Sequence, residues 1–169
     1  MYKTSLFIGR FQPLHIGHFI ILKQIADASR LLKIGIGSAQ YSNMHDNPLS
    51  AEERKEMLGI VLKEQNITNA KIYFIPDIHD DARWVEHVKK IVGDFDIVHS
   101  GNDCVIRLFK EKHIPVQIIK EIDPYEATKI RKAICQDHTI EQHVPPVVFD
   151  YLKSIKAFTR IKDVCCKAN

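Results

Sequence analysis

The sequence predicts an α/β fold: a doubly wound parallel sheet of about five strands, followed by a helical segment from about residue 125. Two observations carry this expectation. Short apolar runs of strand length alternate with stretches of helical periodicity, the order that right-handed βαβ crossovers require. Most of those runs close on a glycine or a polar cluster, as strands do where ligand loops leave a parallel sheet. The 169 residues, 45% hydrophobic and 27% charged, are enough for one full core, so a single domain over 1–169 is expected. No internal repeat, linker or low-complexity stretch interrupts the pattern.

Leu6 to Ile8 is the first strand, and Gly9 ends it. His15 to Ser29 reads as a helix with Phe19, Leu22, Ile25 and Ala26 on one side. Leu32-Lys33-Ile34-Gly35-Ile36-Gly37 alternates as a second strand and continues into Ser38-Ala39-Gln40. After the polar loop Tyr41 to Leu49, Ser50 stands where an N-cap belongs, with Glu53 completing a capping box. The helix it opens should bury Met57, Leu58, Val61 and Leu62. Lys71 to Ile75 is the third strand, stopped by Pro76. The acidic loop Asp77 to Asp81 then enters a helix carrying Trp84, Val85, Val88 and Val92. Phe95 to Val98 is the fourth strand, closing on His99-Ser100-Gly101-Asn102 before a helix to about Lys112, and Val116 to Ile119 is the fifth. Pro145-Pro146 open a helix through Ile155, while residues 158–169 show no clear pattern. The loops 9–18, 37–49, 76–84 and 99–102 are expected to converge on one crevice beyond the carboxyl ends of the strands.

The net charge of +3 suits anionic small molecules and is too small and too dispersed for a nucleic-acid groove. No segment approaches a membrane span, and the apolar run before Gly9 is too short for a signal peptide. A cytoplasmic protein is the expectation. The four cysteines, Cys104, Cys135, Cys165 and Cys166, lack C-x-x-C spacing and indicate neither a zinc site nor a disulfide framework.

The chemistry concentrates in Ile8-Gly9-Arg10-Phe11-Gln12-Pro13-Leu14-His15-Ile16-Gly17-His18. A strand, a tight loop and a helix N-terminus make an anion site from backbone N–H groups and the helix dipole. His15 and His18, three apart, share one face of the helix, and Arg10 adds a fixed positive charge. It is not a Walker A loop, because no Gly-Lys-Ser/Thr follows. Two histidines at this spacing are also compatible with half of a metal site or with ordinary polar helix positions. Thr128-Lys129-Ile130-Arg131-Lys132 places three cations and a hydroxyl at the start of a later helix, which fits either a triphosphate clamp or a solvated basic face.

Gly-Arg-Phe-Gln-Pro-Leu-His-Ile-Gly-His resembles the His-x-Gly-His signature of the nucleotidylyltransferase superfamily, which class I aminoacyl-tRNA synthetases share. Thr128 and Arg131 fall on the Thr and Arg of that superfamily's second signature, Ser-x-Thr-x-x-Arg. Glu126 stands at the serine, and no phosphate contact is carried onto a carboxylate there. With Gly37-Ser38-Ala39-Gln40, Asn47-Pro48-Leu49-Ser50-Ala51-Glu52-Glu53-Arg54, Trp84-Val85-x-His87 and Ser100-Gly101-Asn102, the chain is similar to archaeal-type nicotinamide-nucleotide adenylyltransferases from about residue 5 to 160. The resemblance implies a Rossmann-like nucleotidylyltransferase fold. It also implies a reaction joining ATP and nicotinamide mononucleotide (NMN) to give NAD and pyrophosphate, with Mg²⁺ held mainly by the nucleotide phosphates, and a homo-oligomer. Another nucleotidylyltransferase acting on pantetheine phosphate, FMN or a polyol phosphate, and a non-catalytic ATP or NAD sensor, are the competing readings.

By that resemblance ATP lies along Gly9, Arg10, Phe11, His15, Gly17 and His18 of the first signature, Gly101, and Thr128, Ile130, Arg131 and Lys132 of the second. NMN is expected at Trp84, Ser38, Gln40 and Asn102, with Trp84 stacked on the nicotinamide ring. Trp84 also falls in register with Val88 on an apolar helix face, which fits core packing. Some members of the branch carry an arginine where this chain has Asp46, so the acceptor phosphate is gripped from elsewhere or the acceptor differs. His18 is assigned to the α-phosphate, His15 beside it, and Arg10 and Arg131 to the β- and γ-phosphates. The second pKa of a phosphomonoester is about 6, so the acceptor is already a nucleophile and no general base is needed. Positioning and electrostatic stabilisation are the whole of the task.

Overall fold

The computed structural model describes residues 1–120, 122 and 124–165. The chain falls into two units, one of residues 1–9, 21–39 and 67–120, the other of residues 10–20, 40–66 and 121–169.

The first unit holds a five-stranded parallel sheet: β1 (Tyr2–Gly9), β2 (Ser29–Gly37), β3 (Ala70–Ile75), β4 (Ile97–Ser100) and β5 (Val116–Ile118). The strand order is β3-β2-β1-β4-β5, so chain order reverses at β1, the doubly wound arrangement expected. The register sets Leu6 beside Lys33 on one side and Val98 on the other. Helices α3 (Asp81–Val92) and α4 (Asp103–Glu111) supply Val85, Val88, Val92, Leu108 and Phe109 to a core that includes Leu6, Ile8, Ile75 and Val98. Asp80 caps α3 by accepting the Arg83 N–H, and Asn102 caps α4 by accepting the Val105 N–H. Lys33, a polar place in the alternation of β2, is buried and donates to the carbonyls of Val92 (2.5 Å) and Asp94 (2.8 Å) at the end of α3. Burial holds its pKa below the usual lysine value. The fourth strand begins two residues later than its sequence pattern indicated and runs through His99 and Ser100. His99 meets the Ser5 hydroxyl at 3.3 Å, and Ser29 donates to that same hydroxyl at 2.7 Å.

Helix α1 (Ile16–Asp27) starts in the second unit and ends in the first, where Leu22, Ile25 and Ala26 are buried. The second unit otherwise consists of α2 (Ala51–Glu64), α5 (Ala127–Cys135), α6 (Pro146–Ser154) and α7 (Ala157–Cys165). Ser50 and Glu53 form the expected capping box on α2, whose buried stripe is Ala51, Arg54, Met57, Leu58, Val61 and Leu62. Two side-chain bonds tie the later helices to α2: Tyr151 Oη donates to Glu56 (2.8 Å) and Arg160 to Glu53 (2.7 Å). Helix α7 lies in a segment whose sequence showed no clear periodicity. Cys104 and Cys165 are free thiols, whereas Cys135 is disulfide-bonded, which the cysteine spacing gave no reason to expect.

Candidate active site

The loop after β1 is buried, with Phe11 1%, Gln12 2% and Leu14 0% exposed. A buried loop must satisfy its backbone polar groups internally. Gln12 does this from both ends of its amide: Nε2 donates to the Leu49 carbonyl, and Oε1 accepts the Leu49 N–H, each at 2.9 Å. The Arg10 carbonyl accepts from Arg54 Nη1 at 3.1 Å, and the Gln12 carbonyl accepts from Arg131 Nη1 at 2.9 Å. Phe11 has φ 53°, a left-handed turn uncommon for an aromatic residue, and the Gln12–Pro13 peptide is cis.

His15 and His18 form a second capping box, made of imidazoles. His15 immediately precedes α1, and its Nδ1 accepts the His18 N–H at 3.3 Å. The Nδ1 of His18 accepts the His15 N–H at 3.4 Å. The rings stack with centroids 3.7 Å apart, and Phe11 lies against His18 at 4.9 Å. An Nδ1 that accepts a backbone N–H carries a lone pair, so the ring proton of each histidine is on Nε2. Burial pushes His15 down to about 4 against an opposing pull from Glu126, and burial and then His15 push His18 well below the usual histidine value. Both rings are neutral Nε2–H donors at pH 7. The fixed charge of this region therefore comes from arginine rather than from imidazolium.

A side chain at Gly17 would crowd His15 and Tyr125. A Cβ there would stand 3.1 Å from His15 Nδ1, 3.2 Å from His15 Cε1 and 3.3 Å from Tyr125 Cβ.

The second unit also holds the second signature. Arg131, 5% exposed, reaches Thr128 Oγ1 at 3.5 Å and Asp46 at 3.8 Å besides the Gln12 carbonyl. Burial lowers its pKa, the Cys165 thiol opposes this, and the like charge of Arg10 lowers it further; a guanidinium stays charged throughout. Thr128 and Lys132 are exposed at the start and middle of α5, as is Arg10 at the mouth of the loop. Ile130 is 1% exposed and its N–H donates to the Glu126 carbonyl. Glu126 precedes α5 without capping it and pairs with Lys129 at 2.5 Å. Gln40 is exposed in this unit.

The remaining site candidates belong to the first unit. Gly9 ends β1, and Ser38, just past β2 with φ 50°, donates to Asp77 at 2.7 Å. A Cβ on Gly101 would approach the Ile119 carbonyl oxygen to 3.0 Å. Asn102 uses its Oδ1 on the α4 cap at 3.0 Å. Trp84 is half-buried, edge-on to Phe109 at 5.7 Å and packed against the core, so its place on the apolar face of α3 is real. Among the described residues no group of three or more His, Cys, Asp or Glu is placed to hold a metal ion.

A profile of the cytidylyltransferase-like family matches residues 6–133. The chain is 42% identical over 162 residues to the nicotinamide-nucleotide adenylyltransferase of Thermococcus sibiricus, covering 94% of this chain and 87% of that one. The chain belongs to the nicotinamide-nucleotide adenylyltransferase family. A relative from Thermococcus kodakarensis is 40% identical over 166 residues, covering 96% of this chain and 88% of its own. The fold is also that of a bifunctional NMN adenylyltransferase/ADP ribose pyrophosphatase from Francisella tularensis, solved with AMP and a manganese ion, at TM-score 0.80 and 23% identity. The match takes in 99% of this chain and 53% of that chain, so this chain spans about half the length of that neighbour.

Three residues around this loop make contacts that motif reading did not assign. Gln12 lies inside the first signature, but its two-way bond to Leu49 joins segments far apart in sequence and left no local trace. Asp46 beside Arg131 is of the same kind. Arg54 did leave a signal: a charge on the apolar stripe of an amphipathic helix.

Proposed function

We propose that the chain transfers the adenylyl group of ATP to NMN, giving NAD and pyrophosphate. An oxygen of the NMN phosphate bonds to the α-phosphorus of ATP. The bond from that phosphorus to the bridging oxygen of the β-phosphate breaks, and its electron pair leaves with pyrophosphate. The attacking phosphate, with a second pKa of about 6, is mostly a dianion at neutral pH, so no side chain has to remove a proton. The observation that supports this reading is the reciprocal bonding of His15 and His18, which leaves each imidazole neutral with its proton on Nε2, in the same unit as Arg10 and Arg131. His18 is assigned to the α-phosphate, His15 to the oxygens beside it and Arg10 to the β- and γ-phosphates. Arg131 serves chiefly from behind, holding the Gln12 carbonyl. Neutral donors bond the charge that shifts onto the α-phosphate oxygens in the transition state without neutralising the acceptor beforehand. The residues fit a divalent ion that arrives on the triphosphate, since no protein ligand set is built among the described residues and Asp80 is committed to its helix cap. Bound in that way, Mg²⁺ would supply neutralisation of phosphate charge. Trp84 is assigned to the nicotinamide ring, and Ser38, Gln40 and Asn102 to the rest of NMN.

The test is an acceptor panel with ATP and Mg²⁺, scored for pyrophosphate and for the dinucleotide. Turnover with NMN well above pantetheine phosphate, FMN and polyol phosphates is expected. Turnover with another acceptor only, or ATP binding with no pyrophosphate from any, would overturn it.

A further inference from the structure

We propose that Arg54 is a positioning residue for ATP: without touching substrate, it sets the peptide between Arg10 and Phe11 and so fixes which way the phosphate loop faces. The inference rests on the reading of this loop as the ATP site. Arg54 is 0% exposed and is the largest fully buried side chain of the chain's described residues. A guanidinium in that place is costly, and an apolar side chain of like volume would serve stability as well or better. What the guanidinium supplies, and an apolar side chain would not, includes two directed bonds to backbone carbonyls. Nε donates to the Ser50 carbonyl at 3.0 Å, one turn back on its own helix, and Nη1 donates to the Arg10 carbonyl at 3.1 Å.

The base from which it reaches is rigid. The Ser50–Glu53 capping box fixes the first turn of α2, and Arg160 bonds Glu53 from α7. Gln12 clasps Leu49, just ahead of that turn. In a trans peptide the C=O and the next N–H point in opposite directions. Drawing the Arg10 oxygen toward α2 therefore turns the Phe11 N–H to the other side, and it keeps a carbonyl dipole from facing an incoming phosphate. Phe11 accepts the left-handed φ of 53° that this orientation needs. Arg131 holds the Gln12 carbonyl in the same manner. The loop is thus held by two arginines at alternate carbonyls, and Arg54 is the one with no exposed surface.

The experiment compares wild type, Arg54→Met and Arg54→Lys by calorimetric ATP affinity and by steady-state kinetics in both substrates. Misplacing a binding loop by about 1 Å costs about 10²-fold. Arg54→Met is expected to lose ATP affinity and kcat/KM for ATP on that scale while KM for NMN stays within about twofold. Arg54→Lys keeps one donor and is expected to recover part of the loss. Unchanged ATP affinity in a folded Arg54→Met protein, or equal losses for the two substrates, would overturn the proposal. Should Arg54→Met not fold, Arg54→Lys decides, and wild-type ATP affinity in it would overturn the proposal too. A wild-type chain that binds ATP and makes no NAD refutes the acceptor while the calorimetric comparison still decides Arg54. A wild-type chain that does not bind ATP refutes both.

Discussion

The imidazoles of His15 and His18 divide two tasks between their nitrogens: Nδ1 closes the start of α1, and Nε2 carries the ring proton. On the proposed assignment of His18 to the α-phosphate, replacing it by alanine removes one donor there, and the loss of one such donor typically lowers kcat by about 10²–10³. A fall of that size, with KM for ATP little changed, is the expected result of steady-state kinetics on His18→Ala, and a near-normal kcat would remove the residue from the mechanism. The spacing of these residues was legible because a signature is a local property. Their neutrality was not, since it follows from burial and from backbone amides whose direction no one-dimensional pattern records. The same limit applies to Arg131. Its charge invited a phosphate contact, but only the fold shows that one of its donors is committed to the Gln12 carbonyl.

Helices announced themselves where their ends carried chemistry. The Ser50–Glu53 box was readable because both partners lie within one turn, and the Pro145–Pro146 opening of α6 was readable because proline favours a first helical turn. Strand β4 was displaced because Phe95 supplies an apolar start although pairing begins at Ser5 beside Ile97. The third helix poses the sharpest question at this scale, because Trp84 packs against the core and is also the residue proposed to stack on the nicotinamide ring. Substituting Trp84 by alanine should lower the melting temperature through the lost contact with Phe109 and also raise KM for NMN more than KM for ATP. Equal changes in the two constants, measured on protein shown to be folded, would leave Trp84 as a core residue alone.

At the scale of the whole molecule, the doubly wound parallel sheet was predictable from the alternation of periods, whereas the order β3-β2-β1-β4-β5, with β1 at the centre, came from the fold. What no pattern gave was the coupling of the fold to protons. His15, His18 and His99 all have pKa values depressed by burial, so the unfolded chain binds more protons than the native one once the pH drops below about 6.5. Stability is therefore full above that pH and is lost as the pH falls toward about 4, the value to which His15 is lowered. His15 by itself accounts for roughly 3 kcal/mol across that window. Denaturant midpoints should decline steadily from pH 7 to pH 4.5 and decline less in His15→Asn; a flat wild-type profile would contradict the buried, neutral pair.

The amides that seal each Nδ1 also decide how this protein fares among transition metals. For zinc or copper to take an Nε2, the displaced proton would have to be lost or move to Nδ1, where a peptide N–H already points at it. Chelation through Nδ1 would likewise break the closure of the helix. A pair of neighbouring imidazoles that looks on paper like bait for such ions is thereby made a poor trap, and its Nε2–H groups suit guests that accept hydrogen bonds rather than cations that accept lone pairs.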